Sequence, residues 1–307
     1  MGAGMADGQA RSRSGNERAT AILVLIAANA CLALGPWLVR LSDTGPVATG
    51  FWRLALALPL LAVFARREAG PGARGRPRGA LMVAVAVGGL FFAADLAAWH
   101  LGIVLTKAAN ATLFGNTASL LFPLWAFAVA REWPSRGQAL ALGLAAAGGA
   151  LLMGQSFEIA PEHLVGDALC LAAGVLYTGY LVALKGARGR LGSWRVLAWS
   201  TAWSAPALLL AALLLGERVW PVDWTPLLAL AALSQLAGQG MLIWALGAVR
   251  PLVVGLALLT QPAVAALSGW LAFGETLTTG DLAGAALVAV ALVLAQRRPV
   301  ARSPAPV

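Results

Sequence analysis

Apolar residues form ten runs along the chain, and the polar residues gather in short segments between them. The runs occupy residues 20–39, 46–65, 79–104, 108–130, 137–154, 164–184, 194–216, 225–247, 251–273 and 281–296. Most of them approach the roughly 20 residues that an α-helix needs to cross a bilayer. The pattern therefore predicts an all-α integral membrane protein with ten transmembrane helices.

The composition agrees with this prediction. Hydrophobic residues make up 60% of the 307 residues, whereas charged residues make up only 11%. A soluble domain carries about a quarter charged residues on average, so the shortage indicates a lipid-facing surface. The formal net charge of +9 does not indicate a nucleic-acid partner, because the basic residues lie in short clusters between the apolar runs.

The distribution of Lys and Arg predicts the orientation. With a cytoplasmic N-terminus, all of the 22 Lys and Arg residues fall on the inner side except Arg40, Arg53, Lys107 and Arg218. Cytoplasmic loops of membrane proteins are enriched in basic residues. We therefore expect both termini to lie in the cytoplasm.

Short motifs recur in the two halves of the chain at a nearly constant offset. Residues 50–53 (GFWR) open the second run and residues 192–195 (GSWR) open the seventh, and the Trp-x-Leu-Gly of residues 99–102 recurs at 244–247. Because each half has an odd number of runs, the second half crosses the bilayer in the opposite sense, as in many secondary transporters. The predicted organisation is a disordered cytoplasmic segment 1–19, a five-helix repeat 20–154, a periplasmic linker 155–163, an inverted repeat 164–297 and a cytoplasmic tail 298–307.

Polar residues near the middle of the runs are candidate site residues, because an unpaired polar group in hydrocarbon costs free energy. The candidates for the wall of a central, water-accessible cavity are Asp95, Trp99, His100, Asn116, Ser119, Tyr177, Trp199, Trp203, Gln235, Gln239 and Gln261. Asp95 is the acid closest to the middle of a run, so it is a functional candidate by default. The candidates for helix kinks or hinges are Pro123, Pro206 and Pro262.

Each candidate also has a structural interpretation. Asp95 can accept hydrogen bonds from Gln235, Gln239 or Lys107, the amide side chains can join helices, and the tryptophans can pack in the core. Asp95 and His100 are not interpreted as a pair, since five residues along a helix turn them about 140° apart.

The fifth and tenth runs have no polar residue at their centres, so we expect these helices to be peripheral. They contain Gly143, Gly148, Gly149 and Gly284, which permit close helix packing. The chain is therefore expected to be a monomer or a weak homodimer that associates through helices five and ten.

Three stretches complete the sequence evidence. Residues 107–111 (KAANA) lead into the fourth run, and Gln261-Pro262 lies inside the ninth run. The ninth run is followed by residues 274–278 (GETLT). The corresponding segment of the first half, residues 131–134 (REWP) after the fourth run, departs from the GETLT sequence. With the two five-run halves, these motifs resemble the EamA-type permeases of the drug/metabolite transporter superfamily over residues 20–297. The resemblance implies a bacterial inner-membrane transporter of small metabolites, often amino acids. The members that resemble this chain in size include the YddG-type amino-acid exporters.

The sequence thus predicts a secondary transporter that exports amino acids, including aromatic ones, across the bacterial inner membrane by alternating access. Its predicted partners are a small amino-acid-like substrate and the lipid bilayer. No metal-binding, phosphate-binding or nucleophile–base motif is present, so no cofactor, metal or catalytic residue is predicted. The alternatives are an exporter of cationic drugs with Asp95 as the counter-charge, and, from other classes, a membrane-embedded enzyme or a channel. Proton coupling and facilitated diffusion both stay open.

Overall fold

The fold is described by a computed structural model over residues 19–68, 77–153, 160–264, 267 and 278–296. These residues are helical apart from short connections and form no strand. Parts of several segments that the sequence analysis singles out lie outside the described residues. They are residues 1–18 of the N-terminal segment, residues 155–159 of the linker, residues 274–277 of the GETLT motif and the tail 298–307.

The helical regions of the described chain are labelled α1 to α10 in chain order. The first half contains α1 Ala19–Leu41, α2 Pro46–Arg67, α3 Ala80–Leu105, α4 Ala108–Gly115 and Ala118–Ala130, and α5 Arg136–Met153. The helix α4 thus consists of two pieces. The second half begins with a short 3₁₀ turn, Pro161–His163, and contains α6 Leu164–Arg188, α7 Ser193–Leu214, α8 Thr225–Ala248, α9 Pro251–Val264 and α10 Thr279–Gln296. Within the described residues, α1 to α4 and α6 to α8 are long and apolar enough to cross a membrane, and α9 and α10 are shorter apolar helices. The all-helical, multi-pass class is confirmed, whereas the number of crossings stays a prediction.

Proline and glycine set several helix boundaries. Pro46 and Pro251 stand at the starts of α2 and α9, where the missing N–H is not needed for a helical hydrogen bond. Beyond the end of α7, Gly216 adopts a left-handed φ of 67°, and the N–H of Glu217 donates to the carbonyl oxygen of Ala212 at 3.0 Å. This C-terminal turn folds the chain back and places Glu217 over the end of the bundle.

Glu217 caps the beginning of α2. Its carboxylate accepts hydrogen bonds from the backbone N–H of Val47 at 3.2 Å and of Ala48 at 2.8 Å. The first N–H groups of a helix have no partner within the helix, and the helix dipole favours a negative charge beside them. The second half of the chain therefore stabilises the start of a helix in the first half.

Glu68 makes the reciprocal contact. It follows α2, and its carboxylate accepts hydrogen bonds from the backbone N–H of Trp194 at 3.3 Å and of Arg195 at 3.1 Å, in the first turn of α7. Because each helix is capped from beyond the end of the other, α2 and α7 are antiparallel. We call the end of the bundle that contains Glu217 the outer end and the end that contains Glu68 the inner end, after the predicted orientation.

Asp167 ties the connection between α3 and α4 to the start of α6 at the outer end. This side chain is buried. It accepts hydrogen bonds from Thr106 Oγ1 at 2.6 Å and from Asn110 Nδ2 at 3.0 Å. Asn110 of the KAANA motif thus has a structural role in joining three helices.

The helices α5 and α10 pack against each other within the chain. A Cβ atom on Gly148 would lie 2.7 Å from the carbonyl oxygen of Gly284, and a Cβ on Gly284 would lie 2.7 Å from that of Gly148. These two glycines therefore permit an intramolecular contact. A homodimer through the same helices stays a prediction.

We expect Glu217→Gln and Glu68→Gln each to lower the free energy of unfolding by on the order of 1 kcal/mol. The amide keeps only one acceptor oxygen and loses the charge that the helix N-terminus favours. Thermal unfolding of the purified protein in detergent measures the effect. Glu132→Gln is the matched control, since Glu132 is exposed. Unfolding temperatures for both cap variants that match the control would contradict this role of the two glutamates.

Candidate functional site

A cavity of about 100 Å³ lies between the middle of the bundle and its outer end, with walls from both halves of the chain. Its lining residues are Leu32, Ala33, Pro36, Arg53, Phe92, Asp95, Leu96, Trp99, Thr112, Gly115, Asn116, Ala118, Tyr177, Gln239, Leu258 and Gln261. They belong to α1, α2, α3, α4, α6, α8 and α9, and no described residue of α5, α7 or α10 lines this space. A volume of this size accommodates several water molecules or part of a small polar solute.

Two opposite charges lie in the wall of the cavity. Asp95 on α3 is 8% exposed and Arg53 on α2 is 3% exposed, and the two side chains interact electrostatically. The guanidinium carbon of Arg53 lies 5.8 Å from the centre of the Phe92 ring, within the range of a cation–π interaction. Among the described residues, Arg53 Nε has no hydrogen-bond partner.

Arg53 is not among the site residues predicted from the sequence, because the count of basic residues places it on the outer side with the loop charges. The signal was nevertheless present. Arg53 lies inside the predicted run 46–65 and about two turns beyond Pro46, which is too deep for a residue of the connecting loop. Arg195, the corresponding residue of the second half, is also buried, at 6% exposure.

Amide and hydroxyl groups form the rest of the polar wall. Gln239 Nε2 donates to the hydroxyl of Tyr177 at 3.2 Å, while Gln239 Oε1 is buried without a hydrogen-bond partner among the described residues. Gln261 Nε2 donates to Asn29 Oδ1 at 2.8 Å. Asn29 in turn donates to the carbonyl oxygen of Leu25 at 2.8 Å. The Gln261–Asn29 bond joins α9 to α1, and therefore joins the two halves beside the cavity.

Two irregular helices bring polar side chains to the cavity. Residues 231–239 of α8 are π-helical, and Gln239 is the last residue of this segment. The helix α4 is interrupted at residues 116–117, where Asn116 Nδ2 donates to the carbonyl oxygen of Thr112 at 2.9 Å. Departures of this kind from the α-helical hydrogen-bond ladder are frequent at functional sites of membrane proteins.

The structure thus places six of the predicted site residues around one cavity, namely Asp95, Trp99, Asn116, Tyr177, Gln239 and Gln261. It places the other five elsewhere, namely His100, Ser119, Trp199, Trp203 and Gln235. These five residues do not line this cavity, and a role for them in binding substrate stays a prediction.

His100 points from α3 toward the start of α2. Its Nδ1 atom lies 2.8 Å from the carbonyl oxygen of Pro46, so Nδ1 is the protonated nitrogen of this contact. A Cβ atom on Gly50 would lie 3.3 Å from Nδ1. Gly50 therefore leaves the room that the imidazole needs to reach α2.

Packing between α3 and α7 excludes α7 from the cavity. Ser204 Oγ donates to the carbonyl oxygen of Gly89 at 2.6 Å, so this face of α7 is turned onto α3. Trp203 consequently lies at the surface of the bundle with 42% exposure, and Trp199 packs against the hydrophobic core.

The two remaining residues are buried in helix–helix contacts. Gln235 Nε2 donates to Thr201 Oγ1 on α7 at 3.1 Å. Ser119 is 1% exposed and lies where α4 packs on Gly255 of α9.

The three proline candidates occupy different settings. Pro123 lies inside the second piece of α4 and packs on Gly255, Pro206 lies inside α7, and Pro262 is buried in α9. The interruption of α4 is at residues 116–117, about two turns before Pro123. Among the described residues, no group of three or more His, Cys, Asp or Glu side chains is placed to hold a metal ion.

Comparison with known proteins gives a match to one family model and matches to solved structures. The sequence model described as the EamA-like transporter family matches residues 19–154 and 164–296, which correspond to α1–α5 and α6–α10. A solved crystal structure superposes with a TM-score of 0.71 at 22% sequence identity, over 93% of this chain and 98% of its own. At this identity the likeness concerns the fold alone. No match to a curated protein was found.

We expect the Asn29–Gln261 hydrogen bond to couple the two halves energetically. In a double-mutant cycle with Asn29→Leu and Gln261→Leu, the interaction free energy should be about 0.5–1 kcal/mol, as for polar pairs between membrane helices. The measurement is unfolding in mixed detergent. The control cycle combines Asn29→Leu with Gln235→Leu, which should be additive because Gln235 bonds to Thr201 instead. Additivity in both cycles would show that the Asn29–Gln261 bond contributes nothing to the contact between halves.

Proposed function

From the premise that this chain belongs to the EamA-like transporter family, we propose that it exports small amino-acid-like metabolites across the bacterial inner membrane by alternating access. The family assignment makes the chain a multi-pass membrane transporter of small molecules. The resemblance drawn from its motifs is thereby confirmed at the level of the family. The amino-acid substrate, the export direction and the transport mechanism belong to the proposal.

The position and charge of the cavity carry this proposal. The cavity lies where the two repeats meet, which is where transporters built from inverted repeats bind their substrates. It contains a buried carboxylate on Asp95 and a buried guanidinium on Arg53. A solute with one ammonium and one carboxylate group complements both charges, whereas a solute with a single charge complements only one.

The apolar part of the wall favours a hydrophobic or aromatic side chain on the substrate. Phe92, Trp99 and Tyr177 line the cavity together with Leu96 and Leu258. Aromatic rings prefer offset or edge-to-face contacts with other rings, and such contacts add to the free energy gained by burial. Aromatic and branched amino acids are therefore the first substrates to test.

Alternating access requires the two repeats to move relative to each other. The proposal assigns ten membrane crossings with both termini in the cytoplasm. It places flexible points at residues 116–117 of α4 and in the π-helical segment of α8, with Pro123, Pro206 and Pro262 as further hinge candidates. The interruption of α4 and the π-segment of α8 both adjoin the cavity, so bending at either point would change its walls.

Export of cationic drugs is the runner-up. Asp95 favours it, because a buried carboxylate attracts a cation. Arg53 opposes it, since a second positive charge in the same small cavity repels a cation in a medium of low dielectric constant. The zwitterionic substrate is therefore the proposal that both charges support.

We expect Asp95→Asn to reduce the efflux of labelled amino acids from proteoliposomes by roughly tenfold or more, because the neutral amide no longer pairs with the ammonium group. Asp223→Asn is the matched control, since Asp223 is exposed and lies outside the cavity. Efflux and uptake are both measured, with and without a proton gradient.

Each outcome of this measurement bears on the proposal. Loss of efflux in the Asp95 variant alone supports the assigned site. Equal efflux in the wild type and the Asp95 variant removes Asp95 from the mechanism. Efflux of organic cations without efflux of any amino acid replaces the proposed substrate class with the runner-up.

A further inference from the structure

Arg53 is a charged side chain buried in the wall of the cavity. It is 3% exposed and lies about two turns into a membrane helix. A buried charge is stable only when opposite charges or hydrogen bonds compensate for the lost hydration. Its Nε atom nevertheless has no hydrogen-bond partner within the described part of the chain.

Asp95 lines the same cavity as Arg53 and carries the opposite charge, but the two side chains are not in direct contact. The two side chains interact electrostatically, but in the described part of the chain they form no ion pair within 4.0 Å. A pair that served only to stabilise the fold would gain most at direct, hydrogen-bonded contact. Both side chains line the cavity, so a solute in the cavity can reach each of them.

Gln239 adds an unused acceptor to the same wall. The side chain is 2% exposed, and its orientation is set by the hydrogen bond from Nε2 to the hydroxyl of Tyr177. This bond leaves Oε1 without a partner in the described residues. Unpaired buried atoms also occur away from the cavity, as in Gln235 Oε1. Gln239 differs from Gln235 because it lines the cavity, where a donor on a ligand would satisfy its acceptor.

We propose that Arg53 binds the carboxylate of a zwitterionic substrate, while Asp95 and Gln239 Oε1 bind its ammonium group. This inference rests on the proposed function and deepens it, because it assigns a separate recognition role to each charge. In the empty cavity the two protein charges compensate each other. In the occupied cavity each protein charge is compensated by the group of opposite sign on the substrate, so the cavity is neutral in both states.

Phe92 positions Arg53 in this scheme. The guanidinium lies over the ring at 5.8 Å, and Phe92 itself stacks on Tyr180 with ring centres 4.4 Å apart. The stacked pair forms a rigid support, since both rings are fully buried. The support limits the rotamers of Arg53 and lowers the entropy that it loses when it binds a carboxylate.

The scheme makes a prediction about ligand charge that a structural role of Arg53 does not make. An amine without a carboxylate leaves Arg53 uncompensated, and a carboxylic acid without an ammonium group leaves Asp95 uncompensated. Removing one protein charge should therefore make the cavity prefer the analogue that complements the charge that is left. Arg53→Gln should favour the amine, and Asp95→Asn should favour the carboxylic acid.

The experiment measures ligand binding to the purified full-length protein by the shift in its thermal unfolding. The standard amino acids are screened first, and the best ligand is compared with the amine that lacks its carboxylate and the acid that lacks its ammonium group. We expect the wild type to bind the amino acid at least roughly tenfold more tightly than either analogue. Arg53→Gln and Asp95→Asn should each reduce this preference, and the order of the two analogues should be opposite in the two variants.

Two further variants keep the test decisive. Arg53→Lys retains the charge and should retain the preference for the amino acid with weaker binding, because an ammonium group cannot bind a carboxylate in bidentate geometry. Arg218→Gln is the matched control. Arg218 is exposed at the outer end, where it lies 3.9 Å from Asp43, so its removal should leave the ligand order unchanged.

The outcomes separate this inference from the proposed function. A wild type that binds no amino acid overturns both. A wild type that binds amino acids, with the same analogue order in Arg53→Gln and Asp95→Asn, overturns the inference and leaves the proposed function standing. If Arg53→Gln does not fold, the other two variants test the inference. It is overturned if Asp95→Asn does not favour the carboxylic acid, or if Arg53→Lys loses the preference for the amino acid.

Discussion

The reciprocal capping of α2 and α7 is the contact on which the arrangement of the two halves depends. Glu217 lies beside the N-terminal amides of α2 and Glu68 beside those of α7. Each contact joins a negative charge to the positive end of a helix in partly buried surroundings, so both are stronger than the same contact at an open surface. Because they lie at opposite ends of one antiparallel pair, they fix its register, and the helices around the cavity are positioned relative to this pair.

The cavity differs from the rest of the interior in what adjoins its polar groups. Many buried polar side chains of the described residues bond to other side chains or to backbone carbonyls, as Asp167 and Ser204 do. Unpaired buried atoms occur in helix contacts, as Gln235 Oε1 does, and also in the cavity wall, on Arg53 and Gln239. Polar groups without partners are costly at membrane depth, and those in the wall adjoin a space that a solute can enter, which is why the proposed binding site is placed there.

Much of the fold could be predicted from the sequence, because long apolar runs permit little besides membrane helices. Asp95 and Gln239 were also predictable, since a polar residue in mid-membrane has to face protein or water. The position of Trp203 was not, because α7 is apolar on most sides and the packing of Ser204 on Gly89 decides which face turns inward. Arg53 was missed for a different reason, since counting basic residues by side treats every Arg near a helix end as a loop residue.

The central claim is that the capped ends of α2 and α7 lie on opposite sides of the membrane. Single cysteines at Val222, beside the start of α2, and at Arg190, before the start of α7, test it in a chain in which Cys31 and Cys170 are replaced by Ala. Both test positions are exposed. With a membrane-impermeant thiol reagent, we predict that Val222→Cys is labelled from outside intact cells and Arg190→Cys only in inside-out vesicles. Labelling of both cysteines from the same side would contradict the antiparallel arrangement.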